Sequence, residues 1–146
     1  MSSASLASST AATSARPARA LHGSLWIVQV LLAAAFLLVG YTHAFAPIDG
    51  AIERAAWVAA LPVALVRFIG VAEMAGAIGL VRPAATRIAP RLSALAAAGL
   101  AVMMALAIPF HAVRGETGAI GLNLVLGALA AFVSWARERR VRIPSH

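Results

Sequence analysis

Four apolar runs, each about twenty residues long, dominate this sequence and limit what it can fold into. A helix needs about 20 residues to cross roughly 30 Å of hydrocarbon. Alanine and leucine prevail in these runs, which lack the alternating pattern of a membrane β-barrel. We therefore expect an all-α, membrane-embedded, antiparallel four-helix bundle, with spans over 24–42, 62–81, 92–113 and 118–136.

The composition also indicates a membrane protein. Of the 146 residues, 62% are hydrophobic and 12% charged, whereas about a quarter of a soluble domain is charged. The absence of cysteine excludes disulfides, thiolate catalysis and cysteine-held zinc or iron–sulfur clusters. The net charge is +7, but the arginines gather at the ends of the apolar runs, which is typical of membrane topology. We expect the lipid bilayer as a partner and no nucleic acid.

The arginines also predict an orientation. Nine of them lie in the N-terminal tail, in the loop between the second and third runs and in the C-terminal region from Arg137 onward, against two in the other loops. This bias places both termini in the cytoplasm and predicts a multi-pass protein of the cell (inner) membrane. The expected organisation is a disordered basic tail over 1–23, a four-helix domain over 24–137 and a basic tail over 138–146.

A cleaved secretory signal peptide is the rival interpretation of the first run. The segment Ala44-Phe45-Ala46 resembles a small-residue cleavage site. However, the run is longer than the usual hydrophobic region, and Pro47 would directly follow the cut. We favour an uncleaved first span.

Two ionisable residues, Arg67 and Glu73, interrupt the second run. Charged groups in hydrocarbon are costly, so they indicate a functional site by default. Glu73 lies 11 residues after Pro62, which is about 16 Å along a helix and near the middle of the bilayer. It shares a helical face with Gly70 and other small residues, so we expect it to point into the bundle. The alternatives are a neutral Glu73 that bonds a neighbouring helix and an Arg67 that snorkels to the surface.

Other polar residues are expected at a similar depth. Side chains of the first and third helices lean back from the outer surface towards the membrane centre, and those of the second and fourth lean outwards. Pro109 adds to this, because it frees a backbone carbonyl near the end of the third helix. The sequence therefore predicts a ligand-binding or proton-binding pocket in the outer half of the bundle, with catalytic roles unassigned, formed by Tyr41, His43, Arg67, Glu73, His111 and Asn123.

Two histidines at similar depth also raise a bis-histidine haem site, or a metal site that includes Glu73. Histidines at the ends of spans are commonly interfacial, and neither His43 nor His111 belongs to a ligand motif. We therefore expect no metal, and haem is disfavoured.

Two segments resemble the DoxX-like family of membrane proteins. Residues 67–83, Arg-Phe-Ile-Gly-Val-Ala-Glu-Met-Ala-Gly-Ala-Ile-Gly-Leu-Val-Arg-Pro, resemble its second-helix signature, in which a Gly-x-x-Glu precedes small residues, Gly-Leu and a Pro. Residues 97–115 are similar to its third helix, which tends to end in His and a basic residue. The resemblance covers about residues 24–137, and the matching positions are Gly70, Glu73, Gly79 and Pro83. In the first helix, relatives often carry a Lys-Leu-like pair after a Gly, whereas Tyr41 follows Gly40 here.

The resemblance implies a four-helix integral membrane protein. Some relatives are described as the membrane subunit of a thiosulfate:quinone oxidoreductase, and others as partners in membrane-associated redox or stress complexes. This implies a membrane subunit or partner of a redox complex that binds a quinone-like ligand. Glu73 or His111 would exchange protons with the quinone, and Arg67 or Asn123 would bond its oxygens.

Any enzymatic role is then at most that of an accessory subunit of a membrane oxidoreductase. Because the chain lacks a metal or flavin motif of its own, the electrons would come from a redox partner protein. One alternative is a small module that binds or transports a lipophilic ligand, and another is a non-catalytic scaffold in which Glu73 is structural. The sequence leaves open the ligand, the cofactor and a homo-oligomer.

Overall fold

Five α-helices and a short 3₁₀ helix make up this computed structural model, which describes residues 3–86, 89 and 91–139, with side chains from His22 onward. The spans that could cross a membrane are His22–Phe45, Val63–Thr86, Arg91–Val113 and Thr117–Arg139. The predicted all-α bundle with four membrane helices is therefore confirmed. The elements in chain order are α1 (Ser3–Phe45), α2 (Ile48–Arg54), the 3₁₀ helix (Ala56–Ala60), α3 (Val63–Thr86), α4 (Arg91–Val113) and α5 (Thr117–Arg139).

Helix α1 begins well before the membrane span. Its backbone is helical from Ser3, through a stretch whose composition predicted disorder. Alanine, the strongest helix former, is abundant there, and the disordered tail over 1–23 stays a prediction. The domain boundaries at 1–23 and 138–146 stay predictions, and residues 140–146 lie outside the described part of the chain.

The four long helices form a ring of antiparallel neighbours. Helix α1 packs against α3, α3 against α4 and α4 against α5, and α5 closes the ring on α1. Both ends of the described chain thus lie at one end of the bundle, whose position in the cytoplasm stays a prediction. We call this the arginine-rich end, and the opposite end, which carries α2 and the 3₁₀ helix, the capped end. The arginines that define the first are Arg82, Arg91, Arg137 and Arg139.

Glycines let α1 and α3 approach closely. A Cβ atom on Gly70 would lie 2.6 Å from the carbonyl oxygen of Gly40, and one on Gly40 would lie 2.8 Å from that of Gly70. Such contacts are how helices associate where lipid provides no hydrophobic drive. The other glycines of the spans differ in this respect. A Cβ atom would also meet a neighbouring helix closely at Gly76, Gly79 and Gly127, whereas at Gly99 and Gly121 it would meet nothing within 4 Å.

The inward faces of the ring form an apolar core. Large side chains from each long helix are almost completely buried there, among them Phe36, Leu80, Leu100 and Val133. Glu73 lies on this inward face of α3, as the helical wheel predicted. The buried residues of α3 are Val66, Gly70, Glu73, Ala77, Leu80 and Ala84.

Candidate functional site

A buried imidazole–carboxylate pair joins α1 to α3 near the capped end. Nδ1 of His43 lies 2.8 Å from Oε2 of Glu73. The two residues are only 7% and 4% exposed. The glycine contact positions them, because a Cβ atom on Gly70 would lie 2.8 Å from Cβ of His43. The pair satisfies a carboxylate that would be costly to leave without a partner in a low-dielectric interior.

The pair is recessed below the end of the bundle. The last turn of α1 meets α3 at Gly70, seven residues after α3 begins at Val63, and this corresponds to about 10 Å. The chain between α1 and α3 lies above the end of α1. We call residues 48–60, which comprise α2 and the 3₁₀ helix, the cap segment. Helix α2 ends at Arg54, and the extended residue Ala55 separates it from the 3₁₀ helix.

Arg67 secures the end of α1. Its Nη1 donates a hydrogen bond of 3.0 Å to the backbone carbonyl of His43. The last carbonyls of a helix lack partners within the helix and carry partial negative charge, so a guanidinium is favourable there. Arg67 therefore reaches the site through the backbone of His43, whose imidazole it helps to position.

The indole of Trp57, in the 3₁₀ helix, lies between two imidazoles. Its ring centroid is 5.0 Å from that of His43 and 6.1 Å from that of His111, with edge-to-face geometry in both cases. Phe110 adds a third edge-to-face contact at 6.4 Å. Such aromatic pairs each contribute about 0.5–1.5 kcal/mol beyond their buried area. Because Trp57 contacts both histidines, it brings them into one site.

The turn after α4 builds a second imidazole–carboxylate pair. Gly115, with φ +72°, follows the helix, and the amide of Glu116 donates to the carbonyl of His111 at 3.0 Å. Together with the 3.1 Å bond from Gly115 to Ala112, this is a Schellman motif. It returns the chain so that Nδ1 of His111 lies 2.6 Å from Oε2 of Glu116.

Arg114 connects this second pair to the cap segment. Its Nε donates to Oε1 of Glu116 at 2.9 Å, and its Nη2 reaches the carbonyl of Ala56 at 3.5 Å. The hydrogen bond with His111 lowers the pKa of Glu116 below its ordinary 4.5, and Arg114 adds a hydrogen bond and its charge, against an opposing effect of burial. The carboxylate of Glu116 is therefore held in its ionised form.

The remaining predicted site residues are Asn123 and Tyr41. Asn123 is 8% exposed, and its Nδ2 has no hydrogen-bond partner among the described residues. Tyr41 is 58% exposed and pairs with Phe45 at 5.6 Å on the lipid side. The structure thus brings His43, Arg67, Glu73 and His111 together, keeps Asn123 inside the bundle and leaves Tyr41 outside.

A second buried polar cluster, which the sequence did not predict, lies at the arginine-rich end. Nε of Arg137 donates to Oε1 of Gln29 at 2.5 Å, and Nε2 of Gln29 donates to the carbonyl of Leu80 at 2.7 Å. Oγ of Ser93 donates to the same carbonyl at 2.8 Å, so the cluster links all four long helices. Arg137 is 5% exposed, and its guanidinium lies 5.4 Å from the ring of Trp26.

An apolar layer separates the two polar clusters. Gln29 and His43 are 14 residues apart on α1, or about 21 Å along the helix. The layer between them consists of buried Leu32, Ala33, Phe36, Ala77, Leu100 and Met104. In the part of the chain that the structure describes, no three histidine or carboxylate side chains converge as a metal site.

Comparison with known proteins gives one match. The model of a family described as the DoxX-like family matches residues 27–133, which include most of each membrane span and both imidazole–carboxylate pairs. Neither the curated proteins nor the solved structures contain a match to this chain.

Proposed function

This chain belongs to the DoxX-like family, and from that membership and its buried imidazole–carboxylate pair we propose that it is the membrane subunit of a redox complex, which binds the headgroup of a quinone-like lipid at the capped end. The match and the four apolar helices make it a small multi-pass membrane protein. The quinone, the redox partner and the outer-leaflet position of the site are the proposed part.

The His43–Glu73 pair is the observation that carries the proposal. The pair can gain or lose one proton without breaking its hydrogen bond, as imidazolium–carboxylate or as imidazole N–H donating to carboxylate. Reduction of a quinone to a quinol consumes two electrons and two protons. A buried group that exchanges a proton while it keeps its partner suits that requirement. The electrons would come from the reduced cofactor of a partner subunit.

Asn123 supports a ligand within the bundle. Buried polar groups in proteins are nearly always hydrogen-bonded, so a buried donor without a partner calls for an explanation. Nδ2 of Asn123 is such a donor among the described residues. A carbonyl oxygen of a quinone headgroup would accept its hydrogen bond.

The apolar layer argues against the transport alternative. A proton relay needs polar side chains or water along its path, but about 21 Å of α1 between Gln29 and His43 contributes only apolar side chains to the bundle interior. The scaffold alternative has an observation in its favour. His43 and Glu73 satisfy one another, as groups that merely join two helices would.

Substitution of Glu73 distinguishes redox subunit from scaffold. Glu73→Gln keeps the shape and a hydrogen bond to His43 but removes the negative charge that stabilises the protonated imidazole. We expect it to preserve the thermal midpoint in detergent and to weaken binding of a short-tailed benzoquinone about tenfold or more, or about 1.4 kcal/mol. Glu53→Gln, at an exposed acid of the cap segment, is the control and should bind like the wild type.

The scaffold makes the opposite prediction. If Glu73 only joins helices, Glu73→Gln binds the quinone as the wild type does, and Glu73→Leu remains folded, since a buried polar pair is often replaceable by apolar side chains. That combination of results would refute the redox proposal.

A further inference from the structure

Trp57 occupies a position that a ligand ring could fill. Its indole lies between the imidazoles of His43 and His111, at 5.0 Å and 6.1 Å between ring centroids. Nδ1 of each imidazole is hydrogen-bonded to a carboxylate, that of His43 to Glu73 and that of His111 to Glu116. Among the described residues, Nε2 of neither imidazole has a hydrogen bond, so each ring retains one nitrogen for a further partner.

The two pairs form a symmetrical setting for a planar ring with two polar ends. A benzoquinone carries two oxygens at opposite ends of one flat ring, and each imidazole can hydrogen-bond one of them through Nε2. The flat sides of such a headgroup would contact the aromatic residues that now contact the indole, among them Phe110. The two imidazoles and the aromatic rings around the indole thus provide hydrogen-bonding and stacking groups of the kinds that a quinone headgroup uses.

The segment that carries Trp57 packs on α3 through one small apolar cluster. The buried members of this cluster are Ala51 and Val58 of the segment and Val66 of α3, so a movement of the segment has to separate Ala51 and Val58 from Val66. Extended residues, Ala55 and Leu61, flank the 3₁₀ helix on both sides. The described hydrogen bond between the cap segment and the α4–α5 turn is 3.5 Å long, at the limit for such a bond.

We propose that the slot between His43 and His111 is the headgroup site and that the Trp57 indole occupies it as an internal plug, so that the cap segment must swing away before a planar quinonoid ligand can bind. This inference rests on the proposed quinone-binding function and adds its regulation. The closed structure is then the autoinhibited state. The plug protects the His43–Glu73 pair from water until a ligand displaces it.

Removing the indole tests the plug directly. The probe is a short-tailed benzoquinone, and its affinity for the full chain in detergent is measured by equilibrium dialysis. We expect Trp57→Ala to bind it at least tenfold more tightly than the wild type, because no indole has to be displaced, and Trp57→Phe to lie between the two. The control, Trp135→Ala, changes a tryptophan on the lipid-facing side of α5 and should not alter the affinity.

The outcomes separate the plug from the function on which it rests. If the wild type binds the quinone and Trp57→Ala binds it equally or more weakly, the indole is a wall of the site and the plug is refuted alone. If none of the variants binds, both the plug and the proposed function are refuted.

A second measurement covers the case in which Trp57→Ala does not fold. The chain has no cysteine, so Val58→Cys introduces a single thiol at a side chain that is 2% exposed beneath the cap segment. Because Val58 belongs to the cap segment and is buried against the bundle, we expect a soluble maleimide to label this thiol at least several-fold faster when the quinone is present. Ala84→Cys, which is 3% exposed and lies at the arginine-rich end, should show no change. An unchanged labelling rate at Val58→Cys with bound quinone overturns the proposal.

Discussion

Substitution of Gly70 by alanine should separate α1 from α3 and break the buried pair. The new Cβ would lie 2.6 Å from the carbonyl oxygen of Gly40 and 2.8 Å from Cβ of His43, whereas ordinary contact begins at 3.4 Å. The Gly40 carbonyl must therefore retreat by about 0.8 Å, the difference between 3.4 and 2.6 Å, and the backbone nitrogen of Ala44, which lies closer still, must retreat further. If α1 moved away from α3 by about 0.8 Å along the line of the 2.8 Å bond between His43 and Glu73, that bond would lengthen to about 3.6 Å, beyond hydrogen-bond range.

The cost follows from the kind of atoms that must move. Overpacking a tight interface typically costs about 1–3 kcal/mol, and backbone atoms that cannot rotate away place Gly70→Ala at the upper end of this range. Loss of a buried hydrogen bond adds about 1 kcal/mol. We therefore expect the free energy of unfolding to fall by about 3–4 kcal/mol.

Reversible unfolding in mixed micelles, titrated with a denaturing detergent, measures this loss. Gly99→Ala is the matched control, since its Cβ meets nothing within 4 Å and alanine has the higher helix propensity by about 1 kcal/mol. We expect the control to be as stable as the wild type or more so. If Gly70→Ala were as stable as Gly99→Ala, close helix contact would not be what positions the His43–Glu73 pair.

Three further predictions concern the rest of the molecule. Because the folded protein lowers the pKa of Glu116, the carboxylate stabilises the fold at pH values above its ordinary pKa of 4.5, and this stabilisation is lost as the pH falls through the pKa of the folded state. The thermal midpoint should therefore decline over this pH range in the wild type and decline less in Glu116→Gln. Equal declines would contradict the His111–Glu116 pairing. Gln29→Leu should cost about 2–3 kcal/mol, because it leaves the guanidinium of Arg137 without its carbonyl partner, and Arg137→Met in the same chain should restore much of the loss in thermal unfolding. Moving the arginines of the 82–91 loop into the 114–118 loop should disturb the orientation of the chain in the membrane, which is measured by the accessibility of engineered cysteines from each side. An unchanged orientation would refute the cytoplasmic assignment of the termini.

The helical topology was predictable because hydrocarbon leaves the backbone few choices. A run of about twenty apolar residues must satisfy its own backbone hydrogen bonds, so each run becomes a helix whatever its neighbours do. The inward direction of Glu73 was predictable for a related reason, because it shares a face with the small residues that allow helices to approach.

The composition of the site was less predictable, because it depends on loops and on helix rotation. Tyr41 and His43 are two residues apart, or about 200° around a helix, so only one of them could face the bundle. The Gly115-Glu116 sequence after α4 is a helix-ending signal that could have indicated the His111–Glu116 pair. No pattern in the sequence indicates that Trp57 lies between two imidazoles, because the conformation of the cap segment is set by tertiary contacts.

Two residues at the arginine-rich end show how charge counting can mislead. Arg137 was assigned to the basic C-terminal region on charge alone, yet its side chain is buried against Gln29 and Trp26. Gln29 could have indicated this buried polar cluster, since an amide within an apolar run needs a hydrogen-bond partner on another helix.

The apolar layer between the two polar clusters interrupts the path of polar side chains from one end of the bundle to the other. Moving one elementary charge across a membrane changes its electrostatic energy by about 2.3 kcal/mol for each 100 mV of membrane potential. At the capped end, however, a proton that reaches the His43–Glu73 pair can return only to the side from which it came, since buried apolar side chains close the other direction. The buried apolar layer therefore leaves no path of polar side chains from the His43–Glu73 pair to the other polar cluster, and we expect the chain not to conduct protons across an energised membrane.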